Sequence, residues 1–185
     1  VPVLATLMGF LRGLGIILLM SAKGSIEKLV GVKLRSKGLR LAVAESCTGG
    51  LIGHRLTNVP GSSTYYMGSI TAYAYEAKVR LLGVSWETLE AHGAVSEETV
   101  GEMALGVRRA LAADIGLSVS GIAGPGGGTP QKPVGLVCFG LSSSEGTWTQ
   151  HKHFDGQRVA IKEQTAEEAL RFLEAYLDGE LNESD

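Results

Sequence analysis

A hydroxyl, a thiol and a second hydroxyl stand side by side at Ser46, Cys47 and Thr48, followed at once by Gly49 and Gly50. The segment Glu45–Gly50 lies between a short apolar run, Leu39–Ala44, and the start of a helical pattern, so it reads as a strand-to-helix turn. Unpaired backbone N–H groups at such a turn stabilise an anion or a developing oxyanion, and the two glycines let a ligand approach the main chain. A plain capped turn, with Ser46 or Thr48 as N-cap, explains the same residues equally well. Cys47 is a chemically reasonable nucleophile at a helix start. A cysteine nucleophile usually works with a histidine, however, and none is near it in sequence. The spacing is not the Gly-x-Ser-x-Gly of a hydrolase elbow.

Two further places carry chemistry. Between Gly121 and Pro133 the chain has five glycines in eight residues (Gly121, Gly124, Gly126, Gly127 and Gly128). Backbone donors in such a loop suit phosphate or carboxylate, although composition alone favours a surface loop. No Gly-Lys-Ser/Thr follows, so it is not a nucleoside-triphosphate cradle. Lys78 is the other. As a general base it must be neutral, which requires its pKa to fall roughly three units from about 10.4, and on sequence alone a solvated helix lysine is the simpler reading. His54, His92, His151 and His153 form no triad.

The elements that must position these residues alternate between strand and helix. Helical spacing covers Ser25–Lys37 with a stop at Gly38. A helix after Ser96 buries Val100, Met103, Ala104, Val107 and Leu111, and a long one over Val159–Asp178 buries Ala166, Ala169, Leu170, Leu173 and Leu177. Ser85 and Ser96 stand where N-caps belong. Strands are expected at Leu39–Ala44, Met67–Tyr73, Ile115–Ser120, Val134–Leu141 and Thr147–Phe154. This order predicts a layered α/β domain with a mainly parallel sheet. Its ligands belong beyond the carboxyl ends of the strands, where the Ser46 turn and the glycine loop both lie.

Composition bounds the rest. The chain has 185 residues, 26 of them glycine, with 17 basic and 19 acidic side chains for a net charge of −2. One domain is expected, over residues 25–180, and a basic nucleic-acid footprint is excluded. Cys47 and Cys138 have no metal-type spacing, so no metal and a reducing cytoplasm are expected. Residues 1–24 contain an apolar run, Val1–Met20, interrupted by Arg12. An accessory segment, or a start placed upstream of the native one, is preferred there over an amphipathic partner helix. A membrane anchor comes last, because Arg12 sits mid-span.

Several motifs in order resemble a known family. They are Ala44-Glu-Ser-Cys-Thr-Gly-Gly50, Val59-Pro-Gly-Ser-Ser63, Glu76-Ala-Lys-Val-Arg-Leu-Leu-Gly-Val84, Gly93-Ala-Val-Ser96, Ser118-Val-Ser-Gly-Ile-Ala-Gly-Pro-Gly-Gly-Gly128 and Lys132-Pro-Val-Gly135. From about Ile26 to Leu177 the chain resembles the C-terminal domain of the competence/damage-inducible protein CinA, in the stand-alone form of the nicotinamide-nucleotide amidohydrolases (PncC). The resemblance implies a three-layer α/β/α sandwich around a mixed, mainly parallel five-stranded sheet. It implies hydrolysis of nicotinamide mononucleotide to nicotinic acid mononucleotide and ammonia, with no cofactor or metal. Ser46 is then the nucleophile and Lys78 the general base, oriented by Tyr75 and Tyr73.

On the same resemblance Glu45, Cys47, Thr48, Gly49 and Gly50 form the turn around the substrate. Ser120, Gly121, Gly124 and Gly126 line it from the second loop, and Arg158 meets the phosphate. Position 75 is Tyr where many relatives carry Asn, position 120 is Ser where relatives usually carry Thr, and position 157 is Gln where the pattern has Asp. A homodimer without nucleic-acid or membrane partners is the expected assembly. The competing function is a non-catalytic nucleotide-binding or interaction module in competence or the DNA-damage response.

Overall fold

The computed structural model describes residues 24–181, and the leader expected over Val1–Met20 and the tail after Leu181 lie outside the described residues. Helix α1 (Ile26–Lys37) buries Ile26, Val30, Gly31 and Leu34 and ends at Gly38, whose φ of 65° makes the left-handed cap. Strand β1 (Leu41–Glu45) is buried along its whole length. Leu41 and Val43 face one hydrophobic cluster, and Ala42 and Ala44 face another. A strand covered on both faces reads as a continuous apolar run for this reason.

The remaining elements are α2 (Leu51–Thr57), β2 (Tyr66–Thr71), α3 (Tyr75–Leu82), α4 (Trp86–His92), α5 (Glu97–Ala110), β3 (Ile115–Gly121), β4 (Leu136–Ser142), β5 (Thr147–His153) and α6 (Arg158–Leu177). Ser85 and Ser96 cap α4 and α5, accepting from the N–H groups of Thr88 and Thr99. The sheet order is β2-β1-β3-β4-β5. Strands β2, β1 and β3 pair in parallel, and β4 pairs antiparallel with both its neighbours. Four of the five strands therefore run in one direction, and β4 alone runs against them. Helices α1, α2 and α6 cover one face and α3, α4 and α5 the other. This is the mixed five-stranded α/β/α sandwich expected from the sequence.

Part of the glycine surplus seats α5 on the sheet. A Cβ at Gly116 would stand 2.0 Å from the Ala104 carbonyl oxygen, and one at Gly140 2.4 Å from that of Val100. Only glycine in β3 and β4 permits that approach.

Most element ends shift by a residue or two from the sequence reading, and β1 runs over Leu41–Glu45 instead of Leu39–Ala44; three differences have a local cause. Strand β2 stops at Thr71, because the carbonyls of Ala72 and Tyr73 turn to the Lys78 side chain. Strand β4 begins at Leu136, after Pro133, which lacks an N–H, and Gly135 at φ 97°. Leu111 caps α5 and is only half-buried, packing on the rim of the second cluster.

Candidate active site

Strands β2, β1 and β3 end side by side, so the segments that follow them meet at one end of the sheet. From β1 the chain passes to β2 on one side and returns to β3 on the other. That arrangement is a topological switch point, where open α/β sheets leave a crevice for ligands. The Ser46 turn leaves β1, Ala72 and Tyr73 leave β2, and the glycine loop leaves β3. The Ser46 N–H donates to the Val119 carbonyl (3.1 Å) and the Ala72 N–H to the Glu45 carbonyl (2.9 Å). The three segments are thereby tied to one another just above the sheet.

Lys78, in the first turn of α3, is fully buried, and its Nζ lies 3.1 Å from Ser46 Oγ. The ammonium also reaches the carbonyls of Ala72 (2.8 Å) and Tyr73 (3.3 Å). Burial pushes its pKa down from 10.5 to about 8, offset in part by the Cys47 thiol nearby. The valences fit both charge states. Protonated, the three N–H bonds of Lys78 match three acceptors. Neutral, two N–H bonds satisfy the two carbonyls, and the lone pair is left facing the Ser46 hydroxyl. The two carbonyls thus fix which way the free amine points. Residue types alone favour a solvated lysine here, because the main-chain acceptors that hold it have no signature in residue types, whereas the family resemblance implies a general base.

Glu45 does not face the crevice. Its carboxylate is fully buried and accepts from the N–H groups of Gly50 (2.9 Å), Ile52 (3.1 Å) and Gly53 (2.9 Å). It holds the start of α2 against the end of β1 with Ser46 between them. Glu45→Ala would strand three donors, each costing about 1–3 kcal/mol when buried and unpaired. Water entering the cavity relieves part of that, and a net loss of about 3 kcal/mol in denaturant unfolding is expected. Glu45→Gln should recover part of it.

The other site residues divide clearly. Cys47 is buried, and burial pushes its thiol up to about 12, so it is no nucleophile at neutral pH. Ser120 is buried at the end of β3, on the same face as Ser118, whose hydroxyl bonds Val100 on α5. Gly121 is glycine because a Cβ would stand 2.6 Å from the Val137 side chain. Gly126 faces open space.

Tyr73 contributes its carbonyl to Lys78, while its hydroxyl accepts from Arg158 (2.9 Å). The structure does not bring Tyr75 to the dyad. Its hydroxyl accepts from the Ala94 N–H (3.2 Å), and its ring rests near Trp86 at 6.5 Å between centroids. Arg158 also donates to the Gly124 carbonyl (2.8 Å), so both terminal nitrogens of its guanidinium are engaged. At its far end the glycine loop is held by Lys132, whose ammonium reaches the carbonyls of His92 (2.5 Å) and Val95 (2.6 Å). That anchor was not foreseen, although Lys132 stands within a quoted motif.

No group of three His, Cys, Asp or Glu that could hold a metal occurs among the described residues. No helix among them is long and apolar enough to cross a membrane.

The CinA C-terminal domain family matches residues 23–177. A CinA-like protein of Desulfosudis oleivorans is 59% identical over 127 residues, covering 69% of this chain and 31% of the relative. Another, from Chloroherpeton thalassium, is 48% identical over 157 residues, covering 83% of this chain and 37% of the relative. The chain thus spans about a third of the length of the curated relatives it matches.

Among solved structures, the CinA superfamily protein from Klebsiella pneumoniae superposes with a TM-score of 0.81 at 35% identity, covering 83% of this chain and 96% of that one. The competence/damage inducible protein from Agrobacterium tumefaciens gives 0.79 at 39% identity, covering 84% and 96%. With fold, strand-end motifs and chain coverage in agreement, this chain belongs to the CinA C-terminal domain family.

Proposed function

We propose that this domain hydrolyses the carboxamide of nicotinamide mononucleotide, giving nicotinic acid mononucleotide and ammonia in pyridine nucleotide recycling. The observation that carries this reading is the 3.1 Å contact between Ser46 Oγ and the Nζ of a lysine with no solvent exposure. A buried lysine with a depressed pKa beside a hydroxyl is the arrangement that activates a serine without histidine. The substrate adds to the effect, since a pyridinium cation in the crevice disfavours a second cation at Lys78.

In the proposed sequence, neutral Lys78 takes the Ser46 proton as Oγ attacks the carboxamide carbon. Electrons move onto the carbonyl oxygen, which needs donors. The N–H groups of Gly49 and Gly50 are already engaged by the Ser46 carbonyl and the Glu45 carboxylate. Those of Cys47 and Thr48 donate to no backbone acceptor among the described residues, have only the Cys47 sulfur, a weak acceptor, near them, and are the ones assigned to the oxyanion. Protonated Lys78 then gives its proton to the departing nitrogen. Ammonia leaves, and the C–N bond has been exchanged for a serine ester. Lys78, neutral again, deprotonates the water that cleaves the ester and returns the proton to Ser46.

The test is direct. The purified chain is incubated with nicotinamide mononucleotide, and ammonia and the acid product are measured in parallel. Equal amounts of the two are expected, and absence of both removes the reading.

A further inference from the structure

Beside the Ser46 turn is a concavity of about 330 Å³, bounded by the Thr48–Gly50 turn, His54 on α2, and Val159 and Lys162 on α6. Two observations there are unexplained by the fold. The Thr48 hydroxyl is buried and has no hydrogen-bond partner. Buried hydroxyls are nearly always paired, and a turn of the Thr48 side chain towards the adjoining cavity would give this covered hydroxyl a ligand as its partner.

The second is Lys162, one helical turn beyond Arg158. Its ammonium makes no ion pair or hydrogen bond among the described residues and stands 3.8 Å from where a Cβ of Gly49 would project. Other cations of this face are occupied: Arg55 pairs with Glu27 and Glu167, Lys152 with Glu168, and Arg158 bonds Gly124 and Tyr73. The carboxylates nearby do not cancel the charge. Glu45 is buried and taken up by three N–H groups, and Glu163 is exposed at the rim, where solvent screens it.

We propose that this cavity binds the phosphate monoester of the substrate, with Lys162 as its cation and the Thr48 hydroxyl as a donor. Arg158 has a different task. It is a positioning residue that ties Gly124 of the glycine loop to Tyr73, whose carbonyl holds Lys78. This inverts the sequence expectation that Arg158 meets the phosphate. The cavity is registered to the nucleophile, because the Gly49 N–H donates to the Ser46 carbonyl (3.1 Å). The identity of the whole substrate rests on the proposed reaction, but the phosphate site does not.

The experiment compares nicotinamide mononucleotide with nicotinamide riboside, which lacks the phosphate, on the wild-type chain and on Lys162→Gln, Lys162→Arg, Thr48→Val and Arg158→Lys. A charge-assisted hydrogen bond is worth about 1.5–3 kcal/mol, or roughly tenfold to a hundredfold. Lys162→Gln should therefore lose tenfold or more of kcat/KM on the nucleotide, through KM, and much less on the riboside. Lys162→Arg should restore the nucleotide. Thr48→Val should follow Lys162→Gln with a smaller loss, whereas Arg158→Lys should lower kcat on both substrates alike.

Independently of turnover, inorganic phosphate at constant ionic strength should raise the melting temperature of the wild type and not that of Lys162→Gln. It should inhibit the nucleotide reaction competitively and leave the riboside reaction unaffected. Equal losses on both substrates, or an undiminished phosphate shift in Lys162→Gln, would overturn the site. If no substrate yields ammonia, the proposed reaction falls, and the phosphate shift still decides the cavity.

Discussion

Ser46→Ala is expected to lower ammonia release from nicotinamide mononucleotide by at least about a thousandfold while the domain remains folded. The change removes one oxygen from a tight turn and leaves the main chain as it was. The Ser46 N–H still donates to Val119, and the Ser46 carbonyl still accepts from Gly49. Lys78 keeps its two carbonyl partners. What disappears is the hydroxyl proposed to form the ester, and the residual rate expected is that of water attacking a bound amide. Removing a nucleophile of this kind typically costs three to six orders of magnitude, about 4–8 kcal/mol of transition-state stabilisation. The check is steady-state ammonia release alongside mass spectrometry of quenched reactions. The wild type should carry the acyl adduct on the peptide containing Ser46, and the alanine variant should carry none. Retention of a tenth of the rate would show that the serine is a turn residue and nothing more.

Lys78→Met should cost a comparable factor, and the more informative measurement is the pH profile of the wild type. In the proposed mechanism the reactive form is the neutral amine, and burial lowers the Lys78 pKa to about 8. Below that, kcat/KM should rise about tenfold per pH unit, and above it should level off. Bound substrate, being cationic, should move the same inflection in kcat to lower pH. A kcat/KM independent of pH between 6 and 9 would exclude Lys78 as the base.

Stability should change in a linked way. The folded-state pKa is below the unfolded value of 10.5, so between about 8 and 10.5 the unfolded chain holds a proton that the folded chain does not. Stability therefore rises with pH across that window, and below it the cost of burying the ammonium is present in full. Lys78→Met removes this slope, while it also leaves the carbonyls of Ala72 and Tyr73 without their donor. Chemical denaturation of both proteins at pH 7 and pH 10 separates the two effects.

The sequence made the layers legible because each helix and strand carries its own periodicity. The Ser85 and Ser96 caps, the Gly38 stop and the inward stripe of α6 stand where local chemistry puts them. The turn after Ala44 was recognisable from its hydroxyls and glycines. Less accessible was everything made by main-chain groups that close on a side chain only once the turn between them is folded. Ala72 and Tyr73 stand just before Lys78 in the sequence, yet no residue type announces that their carbonyls will close over its ammonium, and desolvation is a property of the assembled fold. Glu45 reads as a possible ligand group until α2 is placed, when its carboxylate is seen to hold that helix. Tyr75 sits next to catalytic-type residues in the sequence, yet α3 turns it towards Ala94. Arg158 and Lys162 have similar side chains four residues apart, and only the partners that reach them distinguish a strut from a free cation.

The way Glu45 joins β1 to α2 has a bearing on protein engineering. The Ser46 backbone is held from both sides, by the sheet before it and by one carboxylate after it, so its geometry is fixed before any ligand arrives. The smallest portable unit is consequently longer than the Ser-Cys-Thr-Gly-Gly string. It runs from Glu45 to Gly53, since a Cβ at Gly53 would stand 2.5 Å from the Tyr66 hydroxyl oxygen and 2.9 Å from Ser69 Oγ. Grafting such a unit onto another parallel sheet also requires a neighbouring strand that ends in two free carbonyls, with a lysine on the helix that follows. A scaffold chosen on those terms would import the orientation of the amine along with the serine, which a motif search does not supply.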